Sequence, residues 1–185
     1  MGFAIARELV ERGALVTLVC GPVSLITSHK AIRRIDVTSA QEMYQACLEI
    51  FPGVDGAVMC AAVADYAPVV KSEQKLKRKD SNLTIELKPN PDIAAGLGKI
   101  KTEKQLLVGF ALETENELEY ARIKLRKKNL DFIVLNSLNE PGAGFRTDTN
   151  KITIIDKYNK TTKFELKSKD KVAVDIVDRM ISEIL

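Results

Sequence analysis

Apolar and polar positions alternate along the chain in a way that predicts helices and strands in turn. Residues 2–12 carry apolar side chains at helical spacing, and Gly13 is suited to end that helix. Residues 14–20 form a continuous apolar run rich in β-branched side chains, which is typical of a strand covered on both faces. The dipeptide Gly21-Pro22 ends this strand. The chain therefore opens on a helix that leads into a buried strand.

The same alternation predicts the remaining elements. Further strands are expected at 32–37, 55–61, 83–87, 106–112 and 130–135, and an antiparallel hairpin at 151–156 and 161–166. Helices are expected from Thr38 or Ser39 to residue 50, from Pro91-Asp92 onward, and over 115–128 and 171–185. Residues 142–149 are expected to form a loop, and 63–80 a long irregular connection.

Strands that alternate with helices and end in a hairpin indicate one fold class. We expect an α/β protein: a Rossmann-like three-layer sandwich with a mainly parallel sheet and a C-terminal antiparallel hairpin, in a single domain over 1–185. Such sheets normally open with a strand and a glycine-rich turn into the first helix. This sequence opens directly on the helix, so either the protein starts unusually or its first strand and phosphate-binding loop are missing.

Composition disfavours several function classes. Hydrophobic residues make up 45% and charged residues 29% of the sequence, and the net charge is only +3, which gives no argument for a nucleic-acid binder. The longest apolar stretch, 56–64, is about half of a membrane span, and charged residues interrupt the apolar pattern of 2–12, so we expect neither a membrane segment nor a signal peptide. Cys20, Cys47 and Cys60 lie in apolar runs, which indicates reduced thiols in a cytoplasmic protein.

Two clusters of basic residues suggest a site for anions. The connection 63–80 carries a basic run at 75–79, and Lys124 and Lys128 lie four residues apart on one face of the predicted helix 115–128. Ligands of open α/β sheets bind beyond the carboxyl ends of the strands, where this connection is expected to lie. The run could therefore form a flap over phosphates, or it could be a solvated loop. Lys128 could instead serve the helix macrodipole.

Five short motifs follow one another along the chain: AAVADY at 61–66, KLKR at 75–78, KPNPDI at 88–93, GFALET at 109–114 and KKNLD at 127–131. Shorter signatures lie at 21–25, 36–38 and 144–145. In order and spacing they resemble the motifs of phosphopantothenate–cysteine ligase, over nearly the whole chain. That enzyme is often the C-terminal half of a bifunctional coenzyme A biosynthesis flavoprotein.

The resemblance implies a two-step reaction. In bacterial members the carboxylate of 4′-phosphopantothenate attacks the α-phosphate of CTP and releases pyrophosphate. The acyl-cytidylate then takes the amine of L-cysteine, which forms an amide and releases CMP. Mg²⁺ and basic side chains would screen the charge of the two anionic substrates, and a closing loop would keep water from the activated acyl group. No covalent nucleophile is required.

The resemblance also implies roles for individual residues. Lys75 and Lys77 match the lysines of the family's flap and are the predicted catalytic residues, while Arg78 stands where the family usually has lysine. Ala62 is the predicted substrate contact, and no protein ligand set for a metal is predicted. The predicted nucleotide contacts are Met59, Cys60, Ala61, Asp65, Lys75, Pro91, Asp92, Ile93, Ala94, Phe110, Lys124 and Lys128.

The chain departs from the family at its start. Family members carry a strand and a glycine-rich phosphate loop ahead of the helix on which this sequence opens, so we expect the domain to lack both. Without that strand, the predicted strands 14–20 and 55–61 would each lack a neighbour, and the chain would be destabilised and nearly inactive as a ligase. A truncated version of a normal ligase is our hypothesis for this departure.

Several alternatives stay open. A catalytically impaired nucleotide-binding or regulatory module that retains the CTP site is the second hypothesis. A Rossmann-type oxidoreductase is disfavoured because the glycine fingerprint is absent, and a nucleic-acid binder because no aromatic platform accompanies the lysines. The family suggests a homodimer, in which the hairpin 151–166 could extend across a two-fold axis. The choice between CTP and ATP, and fusion to a decarboxylase domain, are not decided by the sequence.

Overall fold

Helices and strands alternate along the described part of the chain, which in this computed structural model comprises residues 1–72, 74–78, 82–113, 115–137 and 148–184. Helices α1 to α5 are Gly2–Glu11, Ala40–Ile50, Ile93–Ile100, Glu117–Lys127 and Lys169–Ile184. Strands β1 to β11 are Val16–Cys20, Ile32–Asp36, Gly56–Met59, Tyr66–Pro68, Leu87–Pro89, Leu106–Glu113, Phe132–Ser137, Thr149–Asn150, Ile152–Asp156, Thr161–Lys163 and Lys167–Ser168. None of these helices has the length and apolar character needed to cross a membrane.

A five-stranded sheet forms the centre of the fold. Its strand order is β10-β9-β7-β6-β3. Strands β3, β6 and β7 run parallel to one another, whereas β9 pairs antiparallel with both β7 and β10. The predicted fold class, a mainly parallel sheet that ends in an antiparallel hairpin, is therefore confirmed.

Alternating side chains of the central strands cover both faces of this sheet. On one face, Val108 and Val134 pack with residues of α1 and α5 in one hydrophobic cluster. On the other face, Leu107 and Ile133 pack with residues of α3 and α4 in a second cluster. Since successive side chains of a strand point to opposite faces, the continuous apolar runs of β6 and β7 supply both clusters at once.

A buried carboxylate links four elements at the amino ends of the central strands. Asp131 is only 5% exposed, and its Oδ2 accepts hydrogen bonds from Leu107 N at 2.8 Å and from Lys101 Nζ at 2.9 Å. Its Oδ1 accepts from Lys157 Nζ at 3.1 Å. Burial by itself would raise the pKa of Asp131, but these donors outweigh it and lower the pKa. The carboxylate therefore connects the end of α3, strand β6, the start of β7 and the hairpin.

The first two strands do not join the central sheet, in line with the expectation that the strands 14–20 and 55–61 each lack a neighbour. Among the described residues, β1 pairs only with β2, in a parallel ladder, and β3 pairs only with β6. The run 14–20 was expected to be covered on both faces, yet the strand begins at Val16, four of its five residues are half-buried, and Leu15 is 90% exposed. The expectation of full coverage was wrong, because the elements packed on this two-stranded sheet bury only Cys20 of β1.

The long connection contains more regular structure than predicted. Strand β4 lies inside the predicted irregular segment 63–80 and pairs antiparallel with β5. The predicted strand 83–87 is displaced, since β5 begins only at Leu87. We call β4 and β5 together with residues 69–70 and 85–86 the ribbon; Val69 N donates to Glu86 O at 3.0 Å and extends the pairing. Threonine 114 and residues 138–147, which include most of the predicted loop 142–149 and the motif at 144–145, lie outside the described residues.

We expect Asp131→Asn to destabilise the protein by about 3 kcal/mol, because it leaves the buried ammonium group of Lys101 without its counter-charge and removes one partner of the half-exposed Lys157. Urea denaturation at pH 7 measures this loss. The stabilisation by Asp131 should be complete above the carboxyl's unfolded pKa of about 3.9 and should disappear as the pH falls through its lower folded value. Asp178→Asn is the control, because Asp178 forms an exposed pair with Arg12 and should cost less than about 1 kcal/mol. Equal losses would contradict the assignment.

Candidate functional site

A cavity of about 190 Å³ opens beside the carboxyl ends of the parallel strands. This is the edge at which open α/β sheets bind their ligands. The wall next to β3 and β4 is the segment 61–65, and the opposite wall is the start of α3. The residues that line the cavity are Met43, Met59, Ala61, Val63, Ala64, Asp65, Asn90, Pro91, Asp92, Ile93, Ala94, Gly109, Phe110, Lys124, Lys128, Leu130 and Ile133.

The amino terminus of α3 faces the cavity, and Asp92 caps it. The Oδ1 atom of Asp92 accepts a hydrogen bond from Ala95 N at 3.0 Å, and Pro91 precedes this cap. The prediction that Pro91-Asp92 starts a helix is thus close, but the proline lies just outside the helix and not in its first turn. Because the first backbone N–H groups of a helix lack partners within it, this end of α3 suits an anion.

Two lysines of α4 reach the cavity, and each is paired with a carboxylate. Lys124 Nζ lies 2.6 Å from Glu113 Oε1, without the angles of a hydrogen bond. Lys128 Nζ lies 3.1 Å from Asp92 Oδ2. Burial by itself would raise the pKa of Asp92, but the Ala95 N–H and the Lys128 ammonium group lower it overall. The two carboxylates relieve the repulsion between two ammonium groups one helical turn apart.

Asn90 joins the two walls of the cavity. Its backbone N donates to Asp65 O at 2.8 Å, and its side-chain Nδ2 donates to Ala64 O at 2.9 Å. Both bonds run from the residue before Pro91 to the segment that follows β3. The side chain thus connects two stretches of chain that are far apart in the sequence.

The whole chain matches one protein family. The family described as DNA/pantothenate metabolism flavoprotein C-terminal domain matches residues 1–184. The chain belongs to this family. Its cavity therefore lies in a domain that recurs among flavoproteins of pantothenate metabolism, as the name of the family says.

Individual relatives of this flavoprotein-domain family are longer than the chain. A cysteine/cysteine sulfinic acid decarboxylase from an unknown prokaryotic organism is 53% identical over 98% of this chain and 51% of that protein. The coenzyme A biosynthesis bifunctional protein CoaBC of Haemophilus influenzae is 45% identical over 98% of this chain and 44% of that protein. The chain thus spans about half the length of the curated relatives it matches. A crystal structure of the C-terminal domain of a CoaBC protein has a TM-score of 0.80 and 36% identity, and the match covers 97% of this chain and 79% of that one.

The structure brings together most of the predicted nucleotide contacts of this family member. The predicted residues that line the cavity are Met59, Ala61, Asp65, Pro91, Asp92, Ile93, Ala94, Phe110, Lys124 and Lys128. Four other predicted residues, namely Cys60, Ala62, Lys75 and Lys77, are not among the described residues that line it. Cys60 is a free, half-buried thiol whose pKa is raised by burial, and Lys75 and Lys77 are exposed on the connection between β4 and β5.

Some lining residues were missed by the sequence analysis. Met43 of α2 looked like an ordinary core residue from its helical spacing, and Asn90 was placed at the ligand-binding edge only as part of the segment 90–93, with no role of its own. Gly109, which also lines the cavity, was likewise not singled out. A Cβ at this position would lie 2.4 Å from Leu130 Cδ1, so a larger residue would collide with that side chain. The described residues contain no group of three or more His, Cys, Asp or Glu side chains that could hold a metal ion.

A close approach of α3 to the end of α4 fixes the position of Lys128. An ideal Cβ on Gly98 would lie 2.0 Å from Lys128 O, so only glycine fits there. Asn129 adopts a left-handed conformation with φ 53° and donates from Nδ2 to Gly98 O at 2.9 Å. These contacts hold the backbone of Lys128 against the helix that Asp92 caps.

We expect Gly98→Ala to destabilise the protein by about 2 kcal/mol, although alanine is the better helix former, because the methyl group collides with backbone that cannot rotate away. Chemical denaturation measures the change. Gly53→Ala is the control, because a Cβ at Gly53 meets nothing within 4 Å, and it should change stability by less than about 0.5 kcal/mol. Similar values for the two variants would show that the approach of α3 to Lys128 is not tight.

Proposed function

We propose that this chain is a ligase domain that joins 4′-phosphopantothenate to L-cysteine through an acyl-cytidylate, with CTP as co-substrate and Mg²⁺, in coenzyme A biosynthesis. The observation that carries the proposal is the cavity at the carboxyl edge of the sheet, in which two lysines one helical turn apart meet the amino terminus of α3. The membership in the flavoprotein-domain family and the CoaBC relative, whose name states coenzyme A biosynthesis, support it.

The arrangement of charges suits phosphate groups. Backbone N–H groups at the start of α3 and the ammonium groups of Lys124 and Lys128 face the same space. Asp92 forms an ion pair with Lys128, and Glu113 forms one with Lys124. A phosphate can replace these carboxylates as the partner of each ammonium group, so the site is prepared for an anion without holding two unpaired charges.

The cavity needs further cations to hold a triphosphate. The carboxylates of Asp65, Asp92 and Glu113 outnumber the ammonium groups of Lys124 and Lys128 around it, so the described wall carries no net positive charge. Asp65 is the residue that would hold Mg²⁺ together with the phosphates, because its carboxylate oxygens suit this ion. Mg²⁺ would stabilise the charge on the departing pyrophosphate. In this proposal the ion arrives with the nucleotide.

Lys75 and Lys77 would act as a flap in this proposal. Both lie on the connection between β4 and β5, and the pairing of these strands brings the base of the connection next to the cavity, where Asn90 meets Asp65. Closure would place their ammonium groups over the reacting phosphates and exclude water from the activated acyl group. Arg78 would add a third cation with a different geometry.

The carboxylate of 4′-phosphopantothenate attacks the α-phosphorus of CTP, and the bond to the bridging oxygen of pyrophosphate breaks. The chain's own contribution to this step is to hold the phosphates at α3 and α4 and to neutralise the negative charge on the leaving group. In the second step the cysteine amine attacks the acyl carbon, loses a proton and releases CMP. Ala62 would contact the pantothenate substrate beside the 61–65 wall.

An additional strand between β1 and β3 would complete the sheet. Each of these two strands has one hydrogen-bonded neighbour among the described residues, yet Val19 of β1 and Met59 of β3 pack in the same hydrophobic cluster. They therefore lie close together without a ladder. We propose that a strand and a phosphate-binding loop fill this position in longer ligases of the family.

The second candidate function is a nucleotide-binding or regulatory module that binds CTP without catalysis. The unpaired edges of β1 and β3 favour it, because the strand and loop proposed for this position are parts of the catalytic site. The decarboxylase name of the 53% identical relative belongs to a protein of which this chain matches 51%. That name describes a protein about twice as long as this chain, so it is not by itself a function of the part matched here.

We further propose that the protein is cytoplasmic, since the free thiols suit a reducing compartment. We also propose that it forms a homodimer. The hairpin that ends in β10 was expected to form the interface, but the ribbon exposes more apolar surface, including Val70 at 80%. Light scattering at micromolar concentration should give twice the chain mass, and Val70→Glu should give a monomer. The control Leu15→Glu changes a residue that is 90% exposed elsewhere. A monomeric parent chain would exclude the dimer.

Binding and pyrophosphate release together test the function. The parent chain should bind CTP with Mg²⁺ in a calorimetric titration. Pyrophosphate release with 4′-phosphopantothenate should be weak, and it should rise in a version extended by the segment that precedes the match in the Haemophilus influenzae relative. Binding without release in both versions would favour the module, and absence of binding in both would exclude the nucleotide site.

Lysine variants locate the site within this experiment. Lys128→Ala should weaken CTP binding about tenfold, because it removes a charge-assisted hydrogen bond. Lys127→Ala is the matched control, since it removes the same charge from an exposed position on the same helix. Lys75→Ala should reduce turnover in the extended version more than it weakens binding, and unchanged turnover would remove the flap assignment.

A further inference from the structure

The segment 61–65 has little to hold it in place besides Asn90. It follows β3 and adopts no regular secondary structure before β4 begins. Among the described residues, its internal hydrogen bond is a long one, from Val63 N to Ala61 O at 3.2 Å, and Val63 also packs at the margin of a hydrophobic cluster. We call this segment the strap. A segment with so few bonds of its own depends on its neighbours for a defined position.

Asn90 supplies this position through two adjacent bonds. Its backbone N–H continues the ladder between β4 and β5 by donating to Asp65 O, and its amide Nδ2 donates to Ala64 O one residue earlier. Pro91 follows directly and disfavours the helical conformation at the preceding residue, so Asn90 stays extended. The amide is thus aimed back at the strap while the next residues start α3.

The side-chain amide is suited to this task for chemical reasons. Ala64 O is an acceptor, so the partner must present an N–H or O–H donor at this distance. An aspartate at position 90 would have the same shape but would place a carboxylate oxygen against the carbonyl oxygen. A shorter side chain would leave Ala64 O without this donor, whereas the backbone bond to Asp65 O would remain in every variant.

We propose that Asn90 is a positioning residue that sets the width of the nucleotide cavity by holding the strap against the start of α3. The proposal rests on the proposed function in so far as the ligand is a nucleotide. Ala61 and Asp65 line the cavity from the strap, and Asp92 lines it from the helix. Asn90 connects these two walls, so a ligand that touches both is bound tightly only when the amide is in place.

The experiment compares Asn90→Ala and Asn90→Asp with the parent chain. Both variants should bind CTP with Mg²⁺ about fivefold to tenfold more weakly in a calorimetric titration, since one hydrogen bond that orders the strap is lost. The aspartate variant should be the weaker binder, because it adds a negative charge beside the phosphates. Gln45→Glu introduces a negative charge at an exposed position of α2, and it should bind as the parent chain does.

Hydrogen exchange of the free proteins separates positioning from a general loss of stability. The backbone amides of residues 61–65 should exchange faster in both Asn90 variants, while those of α3 and the central sheet keep their protection and the melting temperature stays within about 2 °C of the parent. Faster exchange throughout the chain would overturn the proposal, as would unchanged exchange in the strap. If the parent chain binds no CTP, the proposed function fails, and exchange in the strap still decides whether Asn90 positions it.

Discussion

A single buried carboxylate sets the conditions for the rest of the fold. Burial removes the Asp131 carboxylate from water, which costs free energy. Hydrogen bonds from Lys101, Lys157 and the Leu107 N–H together offset this cost. Those partners come from α3, from the hairpin and from β6, so the carboxylate is satisfied only when all of these elements are assembled. These bonds hold the amino ends of the central strands in place. The carboxyl ends take no part in them and border the cavity.

At those carboxyl ends, each of the two lysines beside the cavity is paired with a carboxylate. Lys124 and Lys128 are kept one helical turn apart by α4, and Glu113 and Asp92 neutralise them. Asp92 has a second task, since it also caps α3. In the proposed function, an anion that pairs with the lysines therefore meets a helix end that Asp92 still caps. Its affinity is the difference between new phosphate contacts and the carboxylate pairs that it breaks.

Local patterns predicted those parts of the site that a few neighbouring residues determine. The start of a helix near Pro91-Asp92 and the common face of Lys124 and Lys128 follow from spacing within one element, and the family motifs added Asp65. The role of Asn90 could not be foreseen, because its amide bonds a carbonyl 26 residues away and no periodicity encodes such a bond. The pairing of β4 with β5 is also a long-range outcome and was missed for this reason. The separation of β1 from the central sheet was expected, because the resemblance to the family implied that a strand between 14–20 and 55–61 is missing.

The separate β1–β2 ladder has a mechanical consequence. A pair of strands has one row of hydrogen bonds, and it owes its stability to packing against α1 and α2. The cavity touches this outer unit through Met43 of α2 and the central sheet through Gly109. No described ladder bridges β1 and β3, so side-chain packing joins the two units there, with Val19 of β1 and Met59 of β3 in one hydrophobic cluster. On this side the cavity is therefore bordered by packed side chains and not by a continuous row of backbone hydrogen bonds.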